Sequence, residues 1–332
     1  MHASEPCTLV AEGIYQVRIP LPFALNIVNC YLLRDGDGWT VLDTGLNTPP
    51  ARDAWKAALT HLHIQPGDIR RIILTHVHPD HYGMAGWFGS LVADAPPPVY
   101  TSVREAELAG ILWNPQRLQE DIGFERFLVS AGMTPEMAQT VGRGIQSTGI
   151  QTLPHPATIH TLAAGDTVDI GGRHFLILHA PGHSDGQLMF YDAQDNLMLS
   201  GDHVLMKITP NIGLWPDTEP DPLGRFMRSL RELHAYKVRL ALPGHKALIT
   251  DWQGRIEELL AHHEQRLDHT LAAVKNGATV YETSLQVFQS DHFSPHEWRF
   301  AIVETLAHLD YLQRAGKVTR EEGEPVIRFQ AV

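Results

Sequence analysis

Residues 72–83 read IILTHVHPDHYG and place three histidines and one aspartate within six residues, at the end of an apolar run. Imidazole and carboxylate crowded together gain nothing as core and are not needed on a surface. The alternatives are a polar loop that happens to carry histidine, or a metal site. The preceding RIIL reads as a buried strand, which puts the cluster at its carboxyl end. Alternate residues of a strand share a face, so His76 and His78 can turn toward one metal. Asp80 and His81 follow where the chain bends toward a helix, and they can offer an oxygen and a nitrogen to a second ion.

Three later segments repeat one format, an apolar strand ending in a small residue and then a candidate ligand. They are LILHAPGHS, which reaches His183, LMLSGDH, which reaches Asp202, and RLALPGHK, which reaches His245. Taken singly each has a bland reading: a helix cap for Asp202, a strand-end histidine touching solvent for the other two. Taken with the first cluster they complete a set of seven: His76, His78, Asp80, His81, His183, Asp202 and His245. Two divalent metals bridged by one carboxylate and one hydroxide need about that many.

Composition sets the frame for this site. At 332 residues with 43% apolar and 19% charged residues, the chain can bury a large core with a smaller appendage. No basic segment followed by an apolar run opens it, and no stretch reaches the roughly 18 apolar residues of a membrane span, so a cytoplasmic location is expected. Cys7 and Cys30 fit neither a disulfide framework nor paired zinc ligands and read as buried small hydrophobes. A formal net charge of -12 disfavours nucleic acid as a partner.

Texture divides the chain. Up to Thr101, short β-rich runs alternate with Gly and Pro turns around one helix near 50–62. From 103 to 151 the strand signals vanish and apolar residues fall at helical spacing (Phe124, Phe127, Leu128, then Met137, Val141, Ile145), which reads as a helical insertion. Strands resume after Thr158, and DPLGRFMRSLREL gives an amphipathic helix. Beyond Asp251 come a long helix, a capping box at Ser294 and Glu297 opening a second helix with Trp298, Ile302 and Leu306 on one face, and a tail that reads as a two-stranded wing. The expected division is a catalytic domain over 1–250, with the insertion at 103–151, and a helical, winged-helix-like domain over 251–332.

The motifs THVHPDH, PGHS, SGDH and PGH in that order, with LDTG near the start, resemble those of the metallo-β-lactamase-fold hydrolases over most of residues 8–250. The resemblance implies an α+β fold, a four-layer αββα sandwich with two metals at one edge. It assigns one metal to His76, His78 and His183 and the second to Asp80, His81 and His245, with Asp202 bridging and Asp43 supporting the ligands from behind. The tail resembles the C-terminal winged-helix-like domain of the LACTB-two-like branch. Where flavodiiron relatives carry glutamate this chain has His78, which favours hydrolysis. Where the common β-lactamases of the superfamily have cysteine it has Asp202, which argues against antibiotic hydrolysis. Zinc suits the ligands, and manganese and iron also fit.

Asp80 is also the group placed to take up the proton after nucleophilic attack. His203, beside Asp202, reads more readily as a supporting histidine than as a substrate donor, and Tyr82 suits an oxyanion donor and simple packing equally. Trp113, Phe124, Phe127 and Met133 line a pocket or pack the insertion, and His262 and His263 read as solvated. The expected function is a dinuclear metal-dependent hydrolase acting on a small-molecule acyl substrate: a carboxylic ester, a thioester or a lactone. A phosphodiesterase or ribonuclease is the alternative that the winged tail suggests. Residues 251–332 carry eight Lys or Arg against thirteen Asp or Glu, a net charge of -5. Arg314, Lys317 and Arg320 are offset by Glu321, Glu322 and Glu324. The tail is therefore expected to pack on the sandwich or on a second subunit in a homodimer, rather than to read RNA.

Overall fold

The computed structural model describes residues 5–92, 94–114, 116–117, 123–290, 292–321, 323 and 326–332. Glu322 and Glu324 lie outside the described residues. Seven strands form the first sheet in simple chain order: β1 (Cys7–Ala11), β2 (Ile14–Pro20), β3 (Ile27–Asp35), β4 (Gly38–Leu42), β5 (Ile69–Ile73), β6 (Val99–Ser102) and β7 (Ile159–Leu162). The first four pair antiparallel, and from β4 onward the pairs are parallel. Parallel neighbours need crossovers. These are α1 (Pro49–His61), then α2 (Pro79–Tyr82) with α3 (Ala85–Ser90), then the insertion helices α4 (Val103–Leu112), α5 (Phe124–Ser130) and α6 (Pro135–Ile150). The second sheet has the order β12-β11-β10-β9-β8, from β8 (Thr167–Ile170), β9 (Arg173–His179), β10 (Leu188–Asp192), β11 (Leu197–Gly201) and β12 (Leu240–Pro243).

Residue alternation along the strands produces the layers. On β3, Val28, Cys30 and Leu32 pack outward against Trp55 of α1 and Phe88 of α3, while Tyr31 and Leu33 point inward. On β10 and β11, Leu188, Phe190, Leu197 and Leu199 meet them from the second sheet. Met189, Tyr191 and Met198 face the other way, toward α7 (Pro222–Leu233) and the C-terminal helices. A strand with side chains on both faces buried reads as a continuous apolar run, which is why LMFYD and LMLSG are buried at every position. Helix, sheet, sheet, helix is the four-layer sandwich expected from the motifs.

The C-terminal elements are α8 (Trp252–Ala273), β13 (Ala278–Thr279), α9 (Val280–Phe288), α10 (Pro295–Arg314), β14 (Val318–Glu321) and β15 (Arg328–Ala331). The wing is a three-stranded sheet in the order β13-β15-β14, not the expected pair, because two residues of β13 are too few to show a strand period. Helix α9, whose capping box is Thr279 and Glu282, adds an element to those expected from the sequence. Trp298, Ile302 and Leu306 are buried in the core under the second sheet, and each such side chain stabilises the fold by about 1.5–3 kcal/mol. Leu128, Ala131, Met133, Ala138 and Val141 of the insertion lie in that same core, so α5 and α6 pack with α10. Trp113 instead joins the outer core of the first sheet. The insertion thus spans from one flank of the sandwich to the other.

His263 corrects the expectation of a solvated pair. It is fully buried, with Nδ1 3.2 Å from His308 Nε2, and only His262 is half-open. The buried positions of α8 recur at 252, 255, 256, 259, 263, 267 and 270, so helical spacing turns His263 inward. Cys7 and Cys30 are buried free thiols, as expected. No helix among the described residues is long and apolar enough to cross a membrane.

Candidate metal centre

All seven expected ligands meet where β5, β9, β11 and β12 end. Three sets of donor atoms are close enough to share an ion: His76, His78 and His183; Asp80, His81 and His245; and His76, His81 and Asp202. His78 Nδ1 lies 2.9 Å from His183 Nε2. Asp202 stands between the first two sets, with Oδ1 3.3 Å from His81 Nε2 and Oδ2 3.2 Å from His245 Nε2 and 3.7 Å from His183 Nε2. Asp80 Oδ2 is 3.2 Å from His245 Nε2. Gly244 lets the backbone pass this close, because a Cβ there would fall 2.2 Å from Asp202 Oδ1 and 2.6 Å from His81 Cε1.

The far side of each ring is already committed. His81 Nδ1 donates to Asp43 Oδ2 at 2.8 Å, His183 Nδ1 to the Asn211 carbonyl at 2.9 Å, and His245 Nδ1 to the Ile27 carbonyl at 2.7 Å. Thr75 Oγ1 donates to Asp43 Oδ2 at 2.8 Å, so it must accept from His76 Nδ1 at 2.9 Å. With the protons held at Nδ1, the Nε2 lone pairs of His76, His81 and His245 and Asp202 Oδ1 face one another, buried and without hydrogen-bond partners. Lone pair facing lone pair is repulsive, and a cation placed between them removes the repulsion. These residues therefore fit a metal.

Electrostatics point the same way. Burial, then the neighbouring imidazoles, holds His76 well below the ordinary histidine value, and burial with His183 holds His78 down at about 3. Burial lowers His183 too. Neutral imidazole is the ligating form. At His245 burial opposes charge, but the Asp202 and Asp80 carboxylates overcome it and raise the group to about 10; Asp202 and Asp43 likewise raise His81. The carboxylate charge that favours a cationic ring at these two positions would equally favour a dication at the Nε2 lone pairs of the neutral rings.

A family model described as the metallo-beta-lactamase superfamily matches residues 24–245. The chain belongs to that superfamily. A second model, the metallo-beta-lactamase-like C-terminal domain, matches residues 267–332. A metallo-beta-lactamase family protein from Thermus thermophilus superposes with a TM-score of 0.86 at 34% identity, over 97% of this chain and 100% of that one. The Probable metallo-hydrolase YqjP of Bacillus subtilis (strain 168) is 26% identical over 94% of this chain and 95% of its own. An Atrochrysone carboxyl ACP thioesterase of Aspergillus novofumigatus is 23% identical over 78% of this chain and 61% of its own. The chain is thus a metallo-hydrolase with His and Asp clusters that could bind metal ions.

Sequence reasoning missed the carboxylate that ties this metallo-hydrolase's ligand loops together. Glu105 of α4 is fully buried and accepts from Val77 N at 2.8 Å, Ser184 Oγ at 2.5 Å and Gly186 N at 2.8 Å. It grips the peptide between His76 and His78 and the turn after His183 at once. Its sequence signal, Ser102 three residues before it, reads as a capping box, but only the serine half forms. Asp185 was missed as well: buried, it binds Arg104 at 2.9 Å, Arg225 at 3.3 Å and Glu219 N at 2.9 Å, anchoring the 211–225 segment beside the site.

The weaker candidates separate. Asp43 sits behind the ligands, bonded to Thr75 N at 2.8 Å and to His81. His203 is buried behind His183, with Nε2 2.9 Å from Ser229 Oγ and its ring against Phe226, so it is walled off from the donor cluster. Tyr82 packs in the outer core of the first sheet with its ring 5.6 Å from His155, and burial raises its hydroxyl above the ordinary tyrosine value. The structure does not bring Tyr82 to the ligands. Trp113 Nε1 donates to the Val77 carbonyl at 2.8 Å, so it braces the ligand loop from behind.

Proposed function

We propose that this metallo-hydrolase holds two divalent ions, zinc by preference, and cleaves an acyl bond: a carboxylic ester, a thioester or a lactone. The observation that carries the reading is the pair of donor sets joined by Asp202, three ligands on each side. When bound, two such ions supply Lewis acidity and water ionised near neutral pH. The chain's own residues do the rest. Thr75, Asp43, Asn211 and Ile27 hold the rings in one tautomer and orientation. Glu105 fixes the two ligand loops relative to each other. Asp80, with Oδ2 3.2 Å from His245 Nε2 and partly open to solvent, is the group we assign to accept a proton during attack and return it to the leaving group.

The acyl class is supported by the surroundings. Half-buried aromatic rings run beside the site, and relatives carry the name thioesterase. The RNA reading lacks a basic face: Arg314 is paired with Asp310 at 2.7 Å, and Arg320 also has a partner. A direct comparison tests the assignment. Metal-loaded protein is assayed at low salt on acyl thioesters, aryl esters, lactones, a phosphodiester and single-stranded RNA. The expected result is a higher kcat/KM on an acyl substrate than on either phosphodiester. The reverse order would replace the acyl reading with the phosphodiesterase one.

A further inference from the structure

Helix α10 brings one face to the metal edge. His296, Arg299, Phe300, Val303 and Glu304 recur at helical spacing, and this face meets the loop that supports His183. Asn211, whose carbonyl holds His183, donates from Nδ2 to Glu304 Oε2 at 2.9 Å and to the Phe300 carbonyl at 3.3 Å. Leu214 N donates to the Val303 carbonyl at 3.0 Å. The C-terminal helix is therefore part of the wall of the site.

Arg299 stands out on that face. It is 9% exposed, and its Nε has neither solvent contact nor a partner. Arg266 shares the pattern, with a buried unpartnered Nη1 and its guanidinium 4.4 Å over Phe288, but the carboxylate beside it is Glu304 rather than one of the metal edge. Three other arginines of low exposure are compensated. Arg173 binds Asp192, Arg225 binds Asp185 and Glu219, and Arg255 binds Glu258 and the carbonyls of Leu205 and Ile208. Among the described residues no carboxylate lies within ion-pair distance of Arg299. Its guanidinium carbon sits 4.4 Å over the Phe300 ring, and burial, only partly opposed by the charge of Asp80, holds the group down at about 10. A cation–π contact offsets about 0.5–2 kcal/mol, whereas a buried unpaired charge costs several. An anionic group bound beside Arg299 would compensate that charge.

The lining tells what kind of molecule carries that anion. Phe23 stacks on His296 at 4.3 Å, His296 meets Phe300 at 5.2 Å, Phe300 meets Trp215 at 6.3 Å, and Trp215 stacks on Phe124 at 5.8 Å. All five rings are half-buried. They come from the β2–β3 loop, α10, the 211–219 loop and the insertion, which no single motif joins. An apolar wall with one fixed cation is the pattern of a pocket that orients an amphipathic ligand.

We propose that Arg299 is a substrate-binding residue that takes an anionic oxygen group, a carboxylate on the acyl part or a phosphate on the thiol part, while the aromatic wall covers the chain between that group and the scissile carbonyl. This rests on the acyl-hydrolase reading, and the test separates the two. Binding of glutarate against butyrate, and of phosphopantetheine against pantetheine, is measured by calorimetry on the metal-loaded full chain, wild type, Arg299→Met and Arg299→Lys. The ratios of kcat/KM for glutaryl against butyryl thioesters, and for coenzyme A against N-acetylcysteamine thioesters, are measured in parallel. Elemental analysis confirms equal metal content.

Wild type is expected to favour the anionic member of one pair by about 10–100-fold, the worth of one or two charge-assisted hydrogen bonds. The pair that responds identifies the carboxylate or the phosphate as the source. Arg299→Met should reduce that ratio to within about threefold of one, and Arg299→Lys should keep an intermediate preference. Equal binding of both members of both pairs by wild type, or a ratio that survives in Arg299→Met, overturns the proposal. If no thioester is hydrolysed the thioester branch of the acyl reading falls, yet the calorimetric ratios still decide Arg299.

Discussion

Replacing Glu105 with glutamine removes one charge and one acceptor from the point where two ligand loops are joined. The carboxylate accepts three hydrogen bonds, two at Oε1 from Ser184 and Gly186 and one at Oε2 from Val77. A glutamine has one acceptor oxygen. Turned to keep the pair at Ser184 and Gly186, it presents its –NH2 to the Val77 N–H, donor against donor, at a position with no exposure. An unsatisfied buried donor costs about 1–3 kcal/mol, and the two surviving bonds each lose roughly 1 kcal/mol of charge assistance. The expected loss of stability is about 3–5 kcal/mol, read by denaturant titration of metal-free protein. Because the Val77 peptide lies between His76 and His78, any shift misaligns both, and metal affinity should fall by about 10–100-fold, read by competition with a chromophoric chelator. Burial, the largest effect, leaves the Glu105 carboxyl raised above the ordinary value although the three donors pull it down. Were the native group a neutral acid, glutamine would nearly replace it. A stability change under about 1 kcal/mol with affinity within twofold would refute the charged-acceptor argument.

Two further outcomes follow from the packing. Gly244→Ala puts a methyl group 2.2 Å from Asp202 Oδ1, so the variant should fold but lose at least one metal by elemental analysis; full metal content would show that the backbone yields instead. The buried pair on α8 and α10 should make stability acid-sensitive: burial, then His308, holds His263 at about 2, and burial holds His308 at about 4, with Arg266 and His262 adding repulsion to both. In the unfolded chain each takes a proton near 6.5, so the unfolded state binds more protons below that value, and stability present above about pH 6.5 is lost as pH falls toward 4. His308→Gln should shrink the loss between pH 7 and 4.5 by on the order of 2 kcal/mol in urea titrations. An undiminished loss would place the acid sensitivity elsewhere.

The convergence of the seven candidate ligands was legible in the sequence because they fall at or just beyond strand ends, where a two-residue period or a neighbouring small residue leaves a local mark. The four layers were legible for the same reason, since runs buried on both faces differ in pattern from half-exposed ones. The groups that orient those ligands left no such mark. Glu105 looks like half of a helix cap, Asn211 like a loop residue, and Arg299 like one more charge on an amphipathic helix. Each owes its role to a partner far along the chain: 79 residues separate Glu105 from Ser184, and 93 separate Asn211 from Glu304. His263 reads as solvated among its charged neighbours, and only the burial of its helix face against α10 reverses that. Local chemistry fixes which atoms can bind a metal. Only the packing of α4, the 211–219 loop and the C-terminal helix around them decides which lone pairs stay free, and which buried cation is left facing the site, because burial and pairing are properties of the assembled core and not of any one segment.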